Sequence, residues 1–228
     1  MDNDLFEIAG VRRMTVPKRP KIYHITHYEN LTSIIANRAI FSDKCCREKS
    51  KNHKVIGMSE IKRRRLEELV VKCHPDTKVG EYVPFYFCPR SIMLFLMHKG
   101  NHPDIKYSKG QESIVHIQAD MKAVTTWADM NSVKWALSDR NAGAYYAEFY
   151  NNMADLNKIN WEAVSSPDFR PPNIKEGKQA EFLVYETFPI DLIEQIGVIN
   201  QSIKVQVEMI VKDSCLENKV KIYSDWYF

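Results

Sequence analysis

The chain has 228 residues, of which 44% are apolar, 27% charged and 11% aromatic. That length suits a single domain with a real core, and the aromatic content excludes a disordered chain, as eight Gly and ten Pro exclude a collagen-like one. The formal net charge is only +3, yet Lys44–Arg65 carries about +7, so the remainder is close to −4.

Residues 1–20 read as an irregular arm with Pro17 and Pro20. Lys21–His27 alternates and is rich in β-branched and aromatic residues, which predicts a strand. Leu31, Ile34, Ile35 and Arg38 recur at helical spacing behind Asn30, a fair N-cap. The basic window reads as a loop that becomes a second helix over 59–72, with Met58, Ile61, Leu66, Leu69 and Val70 as its apolar stripe. A strand over 82–87, a buried helical run from Ser91 to Met97 and a strand over 113–118 follow.

Between Arg140 and Lys178 the pattern predicts helical pieces at 142–156 and 161–164, then a loop holding Pro167, Pro171, Pro172 and Gly177. Glu181–Tyr185 is a strong strand. Ile203, Val205, Val207, Met209 and Val211 alternate strictly and predict another, as does 219–223. Strands and helices without regular β-α-β alternation argue for an α+β fold.

The five cysteines, Cys45, Cys46, Cys73, Cys88 and Cys215, are odd in number and scattered, which suits a reduced compartment. No stretch nears the ~18 apolar residues of a membrane span, and the N-terminus has no secretory pattern. The chain reads as soluble and cytoplasmic, with no membrane partner. His98 and His102 lack a glutamate between them, so no metal site is expected. There is no P-loop, no Gly-x-Gly-x-x-Gly and no Gly-x-Ser-x-Gly, which excludes the hardware of kinases, dinucleotide dehydrogenases and α/β-hydrolases.

Taken singly, the polar residues decide little. A lone His24 in a strand is more often structural than functional, and Glu181 at a strand start is more often an exposed edge carboxylate. Tyr86 points away from the face of Phe85 and Phe87 and could wall a flat ligand. Arg63, Arg64 and Arg65 cannot all face one way. Helical geometry leans Arg65 toward the core edge, where an anion or carboxylate would meet it.

Four strings change that weighting: YHITHYENLTSII (23–35), YVPFYFCPRSIML (82–94), SDRNAGAYYAEFYNNMADLNKINWEAV (138–164) and KQAEFLV (178–184). In this order they resemble the DarT family, DNA ADP-ribosyltransferase toxins of toxin–antitoxin pairs, over residues 21 to 200. The resemblance implies an ADP-ribosyltransferase-like fold, a split, curved β-sheet around an NAD cleft with peripheral helices, formed by a single domain over 1–228. It implies Glu181 as the catalytic glutamate and Arg64 or Arg65 as the active-site arginine, the register being open between them. His24, Thr26, Ser33 and Tyr86 would hold NAD, which is a substrate, and no metal is implied. Lys49, Lys51, Lys54, Arg140 and Tyr145 are the candidate contacts to DNA, and Asn141 stands where relatives commonly carry His.

The implied reaction is transfer of ADP-ribose to a base of single-stranded DNA, thymine first, with release of nicotinamide. The implied partner is a macrodomain antitoxin of the DarG type. The same fold acting on guanine, RNA or protein, and a non-catalytic nucleic-acid-binding domain, are the rival readings. A carboxylate beside the ribose suits a bond cleavage that passes through an oxocarbenium-like centre.

Overall fold

Strand β1 (Lys21–His27) forms as its alternation predicts and lies near the middle of the main sheet. The computed structural model describes residues 16–49, 54, 56, 59–105 and 107–228, so of the expected N-terminal arm only 16–20 is described, without regular structure. Helix α1 (Asn30–Ala36) buries Leu31 and Ile34. Its cap position is Glu29, not the expected Asn30. The Asn30 amide donates instead to Thr26 Oγ1 and to the Lys54 carbonyl, both at 3.0 Å, and its oxygen accepts from the Lys54 N–H at 2.8 Å. It thereby ties the basic window to β1.

After β2 (Ala39–Phe41) that window opens as helix α2 (Asp43–Glu48) rather than as a loop, because Ser42 Oγ caps it by accepting from the Cys45 N–H at 3.2 Å. Helix α3 (Ser59–Glu67) stops five residues short of the expected end. The β-branched pair Val70–Val71 forms β3 instead and pairs with β4 (His74–Lys78). Of the expected apolar stripe, Met58 lies outside the described residues and Ile61 is exposed. Gly80 lets α3 lie close, since a Cβ there would come within 2.9 Å of Leu66 Cα.

Strand β5 (Tyr82–Tyr86), helix α4 (Ile92–Lys99) and strand β6 (Ile114–Asp120) match expectation. Helix α5 (Met121–Met130), capped by Asp120, and β7 (Trp135–Ser138) lie where no element is predicted. The predicted helix over 142–156 is absent: the chain forms turns, the short strand β8 (Phe149–Tyr150) and a 3₁₀ segment, Met153–Lys158. Side chains there satisfy the backbone locally. Asn141 Oδ1 accepts from Gly143 N, Asp139 Oδ1 from Glu148 N and Asn152 Oδ1 from Ala154 N. Helix α6 (Trp161–Ser165) is as predicted, while α7 (Pro172–Gly177) replaces a predicted loop by using Pro172 in its first turn.

Strand β9 (Glu181–Tyr185) is as expected, followed by β10 (Thr187–Pro189) and β11 (Gln195–Val198). The alternating run that predicts a strand is helix α8 (Gln201–Val211), capped by Asn200, whose Oδ1 accepts from Ile203 N at 3.0 Å. Ile203, Val207 and Val211 are buried, whereas Val205 is 47% and Met209 74% exposed. Alternation of this kind is two interleaved i, i+4 series, and one series suffices to face a helix to the core. The last strand is β12 (Val220–Ile222).

The eight-stranded sheet runs β12-β11-β6-β1-β5-β9-β7-β8, with β11–β12 parallel and the other pairs antiparallel. Its two halves meet at β1 and β5 through a single register pair, Tyr23 opposite Tyr86. The sheet is therefore split there, and the expected α+β architecture of the ADP-ribosyltransferase-like fold is the one found. Phe85, Phe182 and Val184 pack into the main core with Ile22 and Ile117, while Tyr82 and Leu183 face a smaller cluster on the other side.

His116 on β6 is fully buried between Trp226 and Tyr227. Its Nε2–H donates to the Pro89 carbonyl at 2.9 Å, while Nδ1 is buried without a partner, and burial pushes its pKa down to about 4. The unfolded chain then takes up the proton first. Stability is full above about pH 6.5 and is lost as pH falls toward 4. In urea unfolding, the stability advantage of wild type over His116→Gln should shrink by about 2 kcal/mol between about pH 7.5 and 4.5. Parallel pH profiles would contradict this.

Candidate active site

Glu181 opens β9 and is 1% exposed, so the exposed-edge reading is wrong. A carboxylate at that depth needs partners. Arg65 supplies a two-pronged contact, Nη1 to Oε1 at 3.1 Å and Nη2 to Oε2 at 2.9 Å. The Ala142 N–H donates to Oε1 at 2.9 Å, bringing the irregular 139–147 segment onto the same group. Ser138, opposite Glu181 in the β7–β9 register, holds the main chain: its Oγ accepts from the Glu181 N–H at 3.1 Å and donates to the Arg140 carbonyl at 2.7 Å.

On the other flank Tyr86 lies directly opposite Glu181 in the β5–β9 register. Burial, reinforced by the Glu181 charge, raises the pKa of the phenol, which stays protonated. Burial opposes the charge of Arg65, but the facing carboxylate more than restores it, and its pKa lies above the ordinary value. The site thus holds a fixed guanidinium, a fixed carboxylate and a neutral phenol.

The split between β1 and β5 opens the adjoining cleft. Proline has no N–H to give a strand ladder, and Pro84 sits where β1 and β5 part. His24 takes its free carbonyl: Nδ1–H donates to Pro84 O at 2.9 Å. Burial lowers the pKa of His24, so the ring is neutral with Nε2 left as an acceptor. Around it the cleft is lined by Thr26, Ser33, Phe41, Asp43, Lys62 and Tyr86. Lys62 meets Asp43 at 2.6 Å, and Lys49 lies 4.0 Å from the centroid of the Phe41 ring at the rim.

His24, Thr26, Ser33 and Tyr86 therefore share one cleft, and Arg65 meets Glu181. Arg64 does not. It points into a separate hollow with Arg140, Asn141 and Gly143, its Nε 3.6 Å from Glu68. In that region Tyr145 is 87% exposed, edge-on to Tyr146, and Arg140 is paired with Asp139 and Glu176. Lys54 is held at its backbone by Asn30, with its ammonium 2.5 Å from Glu29, and Lys51 lies outside the described residues. Sequence reasoning missed Ser138, Asn30, Asp43 and Lys62. For Ser138 a signal existed, a small polar residue closing the apolar run WALS.

Among the described residues no three metal-ligating side chains converge, and no helix is long and apolar enough to cross a membrane.

The family model of DarT, described as ssDNA thymidine ADP-ribosyltransferase, matches residues 23–228. A curated DNA ADP-ribosyl transferase of Thermus sp. (strain 2.9) is 34% identical over 219 residues, covering 95% of this chain and 100% of that protein. The solved structure of Thermus sp. 2.9 DarT in complex with ADP-ribosylated ssDNA matches with a TM-score of 0.84 at 32% identity. It covers 95% of this chain and 100% of that one. The solved structure of Thermus sp. 2.9 DarT in complex with NAD+ matches with a TM-score of 0.77 at 31% identity, over 94% and 100% of the two chains.

Shortening the buried cation separates the two arginines. Arg65→Lys cannot keep both contacts to Glu181 and should cost about 2 kcal/mol in urea unfolding, whereas Arg64→Lys should stay within about 0.5 kcal/mol. Equal costs would contradict the geometry.

Proposed function

The chain belongs to the DarT family of ssDNA thymidine ADP-ribosyltransferases, and from that premise we propose how its own residues perform the transfer. The observation that carries the assignment is the buried Arg65–Glu181 pair, opposite Tyr86, at the end of the cleft that His24 and Thr26 line.

NAD enters this cleft as substrate; that the Thermus sp. 2.9 DarT structure is a complex with NAD+ supports NAD as the donor. Neutral His24 offers Nε2 to a ribose hydroxyl, and Thr26 and Ser33 line the same side. Tyr86 walls the nicotinamide. The bond from the ribose anomeric carbon to the nicotinamide nitrogen breaks, and its electron pair leaves with neutral nicotinamide. The ribose becomes oxocarbenium-like, and the Glu181 carboxylate stabilises that charge. A thymine ring nitrogen gives its proton to the Glu181 carboxylate and bonds to the same carbon.

Arg65 fixes Glu181 and, once substrate has loosened the pair, presents a cation to the charge that develops on the base. Of the two arginines we assign the active-site role to Arg65.

The strand lies along the 139–147 segment, where Tyr145 offers a stacking face and Arg140 a cation, and Lys49, Lys51 and Lys54 steer it electrostatically. An unpaired base suits such a site, because nothing has to be pulled from a duplex stack. We assign residues 1–228 to one domain acting in the cytoplasm, paired as a toxin with a macrodomain antitoxin of the DarG type that reverses the mark.

The test is incubation with NAD and a panel of single-stranded oligonucleotides. Those containing thymine should gain the mass of one ADP-ribose, with nicotinamide released, and Glu181→Ala should slow this about a thousandfold. No adduct on any base, from protein that binds NAD, would refute the reading.

A further inference from the structure

Beyond Tyr86 the chain leaves the sheet through Phe87, Cys88, Pro89 and Arg90, and the segment that leads into Glu181 arrives through Lys178. With residues 164–169 these two runs enclose a second pocket, lined by Phe87, Arg90, Ser166, Phe169 and Lys178. Phe87 points to the face opposite Tyr86, so the pocket lies behind the catalytic end of β5 and β9.

Two cations line it. Lys178 is 4% exposed; its ammonium donates to the carbonyls of Val164 at 3.0 Å and Ser166 at 2.9 Å and reaches the Cys88 thiol. The Arg90 guanidinium lies 4.4 Å from the centroid of the Phe228 ring, and its Nε is buried with no hydrogen-bond partner. Among the described residues no carboxylate lies within 4.0 Å of either group. Other sheltered cations of this molecule do meet acids: Arg65 pairs with Glu181, and Lys21 with Asp120 and Glu194.

Two like charges in an apolar-walled pocket are costly without a counter-charge, and an orphaned Nε adds to that cost. An oxyanion in the pocket would supply the counter-charge. The surroundings select its kind. Phe95, Phe169 and Phe228 are partly exposed and pack edge to face at 4.9, 5.1 and 5.7 Å, with the Lys99 ammonium 5.5 Å from the Phe95 centroid. Cations beside aromatic faces are the combination that holds a sugar-phosphate backbone and its bases.

We propose that the Arg90–Lys178 pocket binds a phosphodiester of the single-stranded DNA, with the adjoining base against the Phe95–Phe169–Phe228 cluster. This rests on the acceptor reading above and adds a contact to the strand on the far side of the sheet from Glu181. The site takes the phosphate group whatever base adjoins it, so it contributes affinity and register without sequence preference.

The experiment is fluorescence anisotropy of a thymine-containing oligonucleotide across a salt series, with wild type, Arg90→Gln and Arg90→Lys. Arg90→Gln should bind about tenfold more weakly, and the slope of log affinity against log salt should fall by about 0.7, the loss of one phosphate contact. Arg90→Lys keeps the charge and should keep the slope. In a second arm, single methylphosphonates are scanned along the oligonucleotide with wild-type protein, which needs no folded variant. One position should weaken binding to wild type and have no further effect on Arg90→Gln.

Unchanged affinity and slope in Arg90→Gln, or no such position in the scan, would overturn the proposal. Wild type that modifies the strand while these results are negative leaves the acceptor reading standing, whereas wild type that binds no strand removes both. Inorganic phosphate in thermal unfolding tests the other source of the same chemistry. If it stabilises wild type and not Arg90→Gln while strand binding is unchanged, the pocket holds free phosphate and the strand assignment is wrong.

Discussion

The contact between Arg65 and Glu181 sets the terms for the structure around it. Two full charges lie at 12% and 2% side-chain exposure, and each would be expensive there alone. Their attraction offsets that cost only if both oxygens and both nitrogens are met, which requires three separate pieces of chain to arrive in register. Helix α3 comes close because Gly80 has no side chain, β9 is pinned through Ser138, and residue 142 contributes its N–H. The irregular 139–147 segment is therefore as much a part of the site as either charged group.

A second constraint shapes the space into which that pair faces. A continuous sheet would leave no cleft, and here the ladder between β1 and β5 is reduced to Tyr23 opposite Tyr86. Pro84 and His24 account for the opening together. One brings a backbone with no donor, and the other satisfies the exposed carbonyl through its side chain. The same hydrogen bond selects the neutral histidine tautomer whose free nitrogen is an acceptor, so one contact both opens the cleft and sets its chemistry. Asn30 does comparable work at the rim, where it was expected only to cap a helix.

Much of this was legible in the residues, and the failures have physical reasons. β1 alternates, β5 and β9 are short apolar runs with β-branched or aromatic residues, and no competing local interaction overrides them. α8 failed because alternating apolar positions satisfy a helix equally well, and the Asn200 cap decided the matter. The 142–156 helix failed because Asn and Asp side chains captured its backbone donors. Glu181 looked exposed because a strand start carries no sign of a partner 116 positions away. The basic window also reads differently in three dimensions. Lys44 meets Glu81, Lys54 meets Glu29, Lys62 meets Asp43, and Arg63 meets Glu60, Glu67 and Glu68. Apart from Glu60, which lies within the window, these acids belong to the negative remainder of the chain and fold back onto this segment. Much of its charge is answered within the protein, whereas among the described residues neither Arg90 nor Lys178 has a carboxylate within 4.0 Å.

If the arginine and the glutamate act as one unit, their contributions to transfer are not independent. The direct measure is a double-mutant cycle on the rate of ADP-ribose transfer to a thymine-containing oligonucleotide, using Arg65→Gln, Glu181→Gln and the pair together. The double variant should be no slower than the slower single one, within about threefold. Losses that multiply would contradict it, because they would mean that each side chain works without the other.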